Sequence, residues 1–73
     1  LSRLTERVER LTGREREVML LIVDGFANNA VADKLGISAR TVEHYRANIM
    51  QKMEATSFAE LVRMAIALQQ NKG

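Results

Sequence analysis

Between one helically spaced stretch, Asn28 to Leu35, and another that begins at Ala39, the chain leaves three residues: Gly36, Ile37 and Ser38. So short a connection forces two helices to cross at a steep angle, and one of its residues must turn the backbone sharply. Gly36 can adopt the positive φ that such a turn needs. Ala32 is small where the helices approach most closely, and Ile37 and Val42 close the wedge between them. The pattern is that of a helix-turn-helix unit. On these residues alone, an ordinary helical hairpin in a small bundle is the alternative.

The rest of the chain keeps the same period. Apolar residues recur at three- and four-residue steps and nowhere alternate, so helices are expected throughout and no strand. Leu1, Leu4, Val8 and Leu11 form a stripe on a first helix, with Arg3, Glu6, Arg7 and Arg10 on its wet side, self-paired like Arg14 to Glu17. That helix is short and must dock to persist. Thr12 and Glu15 form a capping box that opens a second helix, Gly13 to about Asp24, with Val18, Leu21 and Ile22 inward and Gly25 as its left-handed cap. Ser38 caps the longer helix, which runs through about Met53. Ser57 and Glu60 form a second capping box, and the last helix carries Phe58, Leu61, Ala65 and Leu68 on its buried side. The expected fold is all-α: a small four-helix helix-turn-helix domain over residues 12–73, preceded by a linker helix at 1–11. Its core is expected to join Val18, Leu21, Ile22, Val31, Leu35, Val42, Ile49, Leu61 and Ala65.

Composition narrows the chemistry. Seventy-three residues hold one core and no large catalytic cleft. With no Cys, disulfides, thiolate metal sites and thiol catalysis are excluded. A single His, no glycine-rich phosphate loop and no paired carboxylates leave an enzyme without support, and neither cofactor nor metal is expected. Met19, Met50, Met53 and Met64 read as gap-filling residues, because a soft-metal site would bring them together with His or Cys. No apolar run reaches the roughly 18 to 20 residues of a membrane span, and no signal peptide is evident, so a cytoplasmic location without membrane contact is expected. Leu1 in place of Met suggests a piece of a longer protein. Net charge is +2. Through Ala30 five basic residues balance five acidic ones, whereas from Val31 six basic residues face four acidic ones, so the excess lies in the second half. That bias permits an anionic partner.

Several fixed spacings together resemble one family. Leu11 to Val18 reads Leu-Thr-Gly-Arg-Glu-Arg-Glu-Val; Gly25 to Leu35 carries Asn28 and Ala32; Gly36 to Ser38 reads Gly-Ile-Ser. Thr41 to Met50 reads Thr-Val-Glu-His-Tyr-Arg-Ala-Asn-Ile-Met, followed by Lys52, and Leu61 to Ala65 reads Leu-Val-Arg-Met-Ala. The chain resembles the LuxR-type helix-turn-helix DNA-binding domains that form the C-terminal output domains of the FixJ/NarL response-regulator family. The resemblance implies a third helix of the domain that docks in the DNA major groove, usually in a dimer on a near-palindromic promoter site, and a receiver domain preceding this one in the full-length protein. It also places base contacts at Glu43, His44 and Ala47. Where the family usually has Ser-x-x-Glu opening the first helix of the motif, this chain has Ala27 and Ala30. A weaker start, by about 1 kcal/mol, recapped by Asn28, is expected there. Tyr45 stands at a position where the family commonly has His.

A helical step of about 100° per residue divides the longer helix into two faces. Val42, Ile49 and Met53 fall together as core, flanked by Tyr45 and Met50; Arg40, His44, Ala47 and Gln51 fall opposite, flanked by Glu43 and Asn48. His44 and Asn48 can hydrogen-bond base edges, Ala47 can touch a thymine methyl, and Glu43 can accept from cytosine. Arg40, Thr41, Arg46 and Lys52 are candidates for phosphate contacts. On the last helix Met64, Ile66 and Ala67 are surplus apolar residues, which suggests a homodimer interface. Two function classes follow: a sequence-specific DNA-binding output domain of a transcriptional regulator, and a protein-interaction module, for which RNA polymerase is a candidate partner.

Overall fold

The computed structural model describes residues 2–70. Leu1 of the first stripe and Lys72 of the charge count lie outside them. Five helices make up the described residues: α1 Ser2–Glu9, α2 Gly13–Val23, α3 Asn28–Leu35, α4 Ala39–Met53 and α5 Phe58–Gln70. The expected class holds. Helix α4 is central, packing on α2 and α3 in the helix-turn-helix and also touching α1 and α5.

Local chemistry sets the boundaries. The Glu15 amide donates to Thr12 Oγ1 at 3.1 Å and the Thr12 amide donates to Glu15 Oε1 at 2.9 Å, which completes the capping box of α2. At the other end Gly25 takes φ +101°, and the Phe26 amide reaches back to the Leu21 carbonyl at 3.1 Å. Helix α3 ends in the same way. Gly36 at φ +69° lets the Ile37 amide close on the Ala32 carbonyl at 3.0 Å. Ser38 then accepts the Thr41 amide at 3.1 Å and starts α4.

Three expectations are corrected at the helix starts. Ala27 occupies the cap of α3 with no side-chain hydrogen bond, and Asn28 does not recap it, because Asn28 is already the first helical residue and its Oδ1 faces Arg46. The second capping box is displaced by one residue: the Glu60 amide donates to Ser57 Oγ at 3.1 Å, but the Glu60 carboxylate accepts from the Thr56 amide at 2.6 Å and its hydroxyl at 3.0 Å. Those donors hold the Glu60 carboxyl below its ordinary value, the backbone amide contributing most. Finally, Phe58 opens α5 from an exposed position and leaves the core to Leu61 and Ala65.

The core joins Val18, Met19 and Ile22 of α2, Val31 and Ala32 of α3, Val42, Ile49 and Met53 of α4, and Leu61 of α5, with Leu11 closing it from the α1–α2 connection. Leu21 and Leu35, expected among the buried residues, are half-buried and lean on this cluster. Helix α1 docks through Leu4 and Val8. Its charges are not simply self-paired, since Arg7 and Arg10 reach Glu54, just past α4, at 3.3 and 3.1 Å. Arg14 and Glu17 do pair within α2, at 3.4 Å.

Because Leu61 is wholly buried and Leu35 only partly so, Leu61→Ala should cost about 2–5 kcal/mol and Leu35→Ala clearly less. Denaturant unfolding of both variants, with the two costs compared, checks the core assignment.

Candidate nucleic-acid interface

Helix α4 presents two chemically distinct faces. Val42, Ile49 and Met53 have no solvent exposure, and Tyr45 and Met50 pack beside them against the core. On the other side Arg40, Glu43, His44, Ala47, Asn48 and Gln51 are all exposed. These six side chains form a continuous polar strip with one small apolar break at Ala47. At 15 residues the helix is about 22 Å long and carries the strip along its outer surface. An α-helix of ordinary width fits the roughly 12 Å major groove of B-form DNA.

The residues beside the strip are tied into the domain, which sequence spacing alone did not reveal. Thr41 is half-buried, and its hydroxyl lies 2.9 Å from Ser38 Oγ. Arg46 reaches Asn28 Oδ1 at 3.5 Å and lies over the Phe58 ring, 5.1 Å from its centroid. Lys52 donates to Glu15 Oε1 at 2.8 Å. Arg40 stands exposed at the start of the helix.

The Lys52–Glu15 pair links α4 to the start of α2. Glu15 is only 3% exposed. Burial disfavours its charge, but the Lys52 hydrogen bond, the Thr12 backbone and hydroxyl contacts and the Lys52 charge together outweigh that cost, so the carboxyl is held below its ordinary value. Both of its contacts, the cap of α2 and the link to α4, favour the ionised form, the Lys52 contact most directly.

Helix α5 places the candidate dimer residues unequally. Ile66 is 47% exposed, Ala67 is half-buried, and Met64 is half-buried with its side chain packed against the core. Leu20 of α2, 52% exposed, is an apolar surface residue that the sequence reading passed over. It joins Val23, Val62 and Ile66 in lining a shallow groove of about 260 Å³ between α2 and α5. Among the described residues no group of three or more His, Asp or Glu could hold a metal ion, and no helix is long and apolar enough to cross a membrane.

Residues 9–65, which span the helix-turn-helix and the start of α5, match the family described as bacterial regulatory proteins, luxR family. The chain belongs to that family. It is 54% identical over 65 residues to the transcriptional regulatory protein FixJ of Azorhizobium caulinodans, covering 89% of this chain and 31% of that protein. It is 47% identical over 55 residues to the tetrathionate response regulatory protein TtrR of Salmonella typhimurium, covering 75% of this chain and 27% of the relative. The crystal structure of full-length FixJ from B. japonicum matches with a TM-score of 0.80 at 48% identity, over 86% of this chain and 31% of the other. The chain thus spans under a third of the length of these relatives. The luxR-family helix-turn-helix is the DNA-binding part of transcriptional regulators, a class outside the enzymes.

The depressed Glu15 carboxyl has a pH signature. A group whose folded value lies below its unfolded one stabilises the fold fully above the unfolded value, and that stability is lost as pH falls through the folded value. Glu15→Gln should therefore be less stable than the parent at neutral pH, by about 1–3 kcal/mol for a buried hydrogen bond to a charged partner. The gap should narrow as pH falls below the ordinary carboxyl value of 4.5. Unfolding free energies measured for both proteins across that range check this.

Proposed function

We propose that this domain is the sequence-specific DNA-binding output domain of a two-component response regulator, with α4 as the helix that enters the major groove. One observation carries the reading: an exposed strip of base-compatible side chains lies directly opposite the fully buried Val42, Ile49 and Met53 seam. In this reading His44 and Asn48 hydrogen-bond base edges, Ala47 packs on a thymine methyl and Glu43 accepts from cytosine. Arg40, Thr41, Arg46 and Lys52 contact phosphates and fix the register without specifying sequence. Thr41 and Lys52 do so with whatever donors their contacts to Ser38 and Glu15 leave over. Residues 1–11 serve as the linker from a receiver domain, a reading supported by the greater length of the FixJ and TtrR relatives, of which this chain covers under a third. Two copies pair on DNA through Ile66, Ala67 and the accessible edge of Met64, supported by the exposed apolar groove at Ile66. RNA polymerase is a further partner of the DNA-bound dimer, and the domain works in the cytoplasm.

A binding selection over randomised half-sites tests the strip. His44→Ala should weaken the preferred site more than random DNA, by the roughly 1–3 kcal/mol of a well-placed base contact, and Ala47→Lys should change the preferred bases. Arg46→Ala should instead weaken all sequences alike and lower the log–log salt slope by about 1. Identical base preferences for the parent, His44→Ala and Ala47→Lys would remove these residues from the reading face.

The dimer is tested separately. Ile66→Glu should leave folding and half-site binding intact while abolishing cooperative occupancy of two half-sites centred about 34 Å apart. Quantitative footprinting on single and paired half-sites reads both quantities.

A further inference from the structure

The Arg46 guanidinium is held by residues that begin two other helices. Its carbon lies 5.1 Å from the centroid of the Phe58 ring, and Nη1 lies 3.5 Å from Asn28 Oδ1. Phe58 is the first residue of α5 and Asn28 the first of α3. Neither contact neutralises the cation. Among the described residues no carboxylate pairs with Arg46, whereas Arg7, Arg10, Arg14 and Lys52 each have one.

Phe58 has no evident role in the core. It is 40% exposed, and the buried side of α5 is supplied by Leu61 and Ala65. The backbone that carries the ring is nonetheless firmly placed, by the Glu60 amide on Ser57 Oγ and by both Thr56 donors on the Glu60 carboxylate. An aromatic ring fixed beneath an unpaired guanidinium has a specific chemical consequence. Set over the ring, the guanidinium keeps N–H groups beyond the one facing Asn28, and such donors can bind a phosphate through parallel hydrogen bonds. An arginine already held this way also has less rotamer freedom to lose on binding.

We propose that Phe58 is a positioning residue for DNA: its ring holds the Arg46 guanidinium over it, so that the donors not facing Asn28 are presented to a backbone phosphate beside the α4 strip. The proposal rests on the DNA-binding reading of α4 and deepens it. Phe58 touches no base in this arrangement and acts only through Arg46. It differs from Lys52, whose ammonium is already turned inward to Glu15.

The test is a double-mutant cycle with Phe58→Leu and Arg46→Ala, plus Phe58→Tyr, which keeps the ring. Affinity is measured across a salt series on the duplex recovered by the parent's binding selection and on a scrambled duplex of equal length. Phe58→Leu should weaken both duplexes by about two- to five-fold, the worth of an exposed cation–π contact, with the salt slope unchanged because no charge is lost. Phe58→Tyr should bind like the parent, and Phe58→Leu should have no further effect once Arg46 is Ala. Phe58→Met, a second non-aromatic variant, should repeat the Phe58→Leu result, which guards against a folding defect peculiar to one substitution. Parental affinity in Phe58→Leu, or an equal loss with Arg46 already removed, overturns the proposal. If Arg46→Ala itself binds like the parent, the proposal fails while the base-reading strip stands. If the parent selects no sequence and binds no duplex, the DNA-binding reading fails with it.

Discussion

A carboxylate with almost no access to water has to be satisfied by the protein, and Glu15 is satisfied from two directions at once. The Thr12 amide reaches it from the start of its own helix, and the Lys52 ammonium reaches it from the last turn of α4. Apolar packing is non-directional and tolerates small sliding between helices. The Lys52 contact is directional, and although Lys52 itself is about a third exposed, removing it would leave the buried Glu15 carboxylate without its cation. Glu15 thus adds a polar tie between α2 and α4 to the apolar seam that turns the outer strip toward solvent.

A second carboxylate, Glu54, is arranged differently. It sits just past α4 with φ +58°, a conformation that side chains other than glycine adopt at a cost of about 1–2 kcal/mol. Arg7 and Arg10 grip it, but Arg10 and Glu54 are each about half exposed, and exposed pairs of this kind contribute at most about 1 kcal/mol each. Together the two pairs are at most comparable with the strain. The turn is also held by the Ala55 amide on the Met50 carbonyl and by the burial of Met53. The docking of α1 rests on Leu4 and Val8 more than on its charges.

What could be read from sequence follows the range of the forces involved. Thr12 with Glu15, Gly36, and Ser38 act over three or four residues, so the boundaries of α2, α3 and α4 were legible from spacing alone. The two faces of α4 were legible for the same reason, since helical geometry decides which residues share a side. Contacts between elements were not. Lys52 and Glu15 are 37 positions apart and Arg46 and Asn28 are 18 apart, and no periodicity links them. Phe58 misled because it continues the Leu61, Ala65 and Leu68 stripe. As the first residue of its helix it overhangs the end of the core, where a stripe no longer implies burial. Thr56 misled more locally, by offering the Glu60 carboxylate two donors in place of the one amide a standard capping box would supply.

The division of α4 into a sealed seam and an outer strip has a consequence for how such domains diversify. Substitutions at exposed helix positions usually change stability by no more than about 0.5 kcal/mol, whereas those in a sealed seam cost several times that. Arg40, Glu43, His44, Ala47, Asn48 and Gln51 can therefore be exchanged almost independently of Val42, Ile49 and Met53. A duplicated copy of this domain can drift toward a new target one outward residue at a time, and each intermediate along that path still folds.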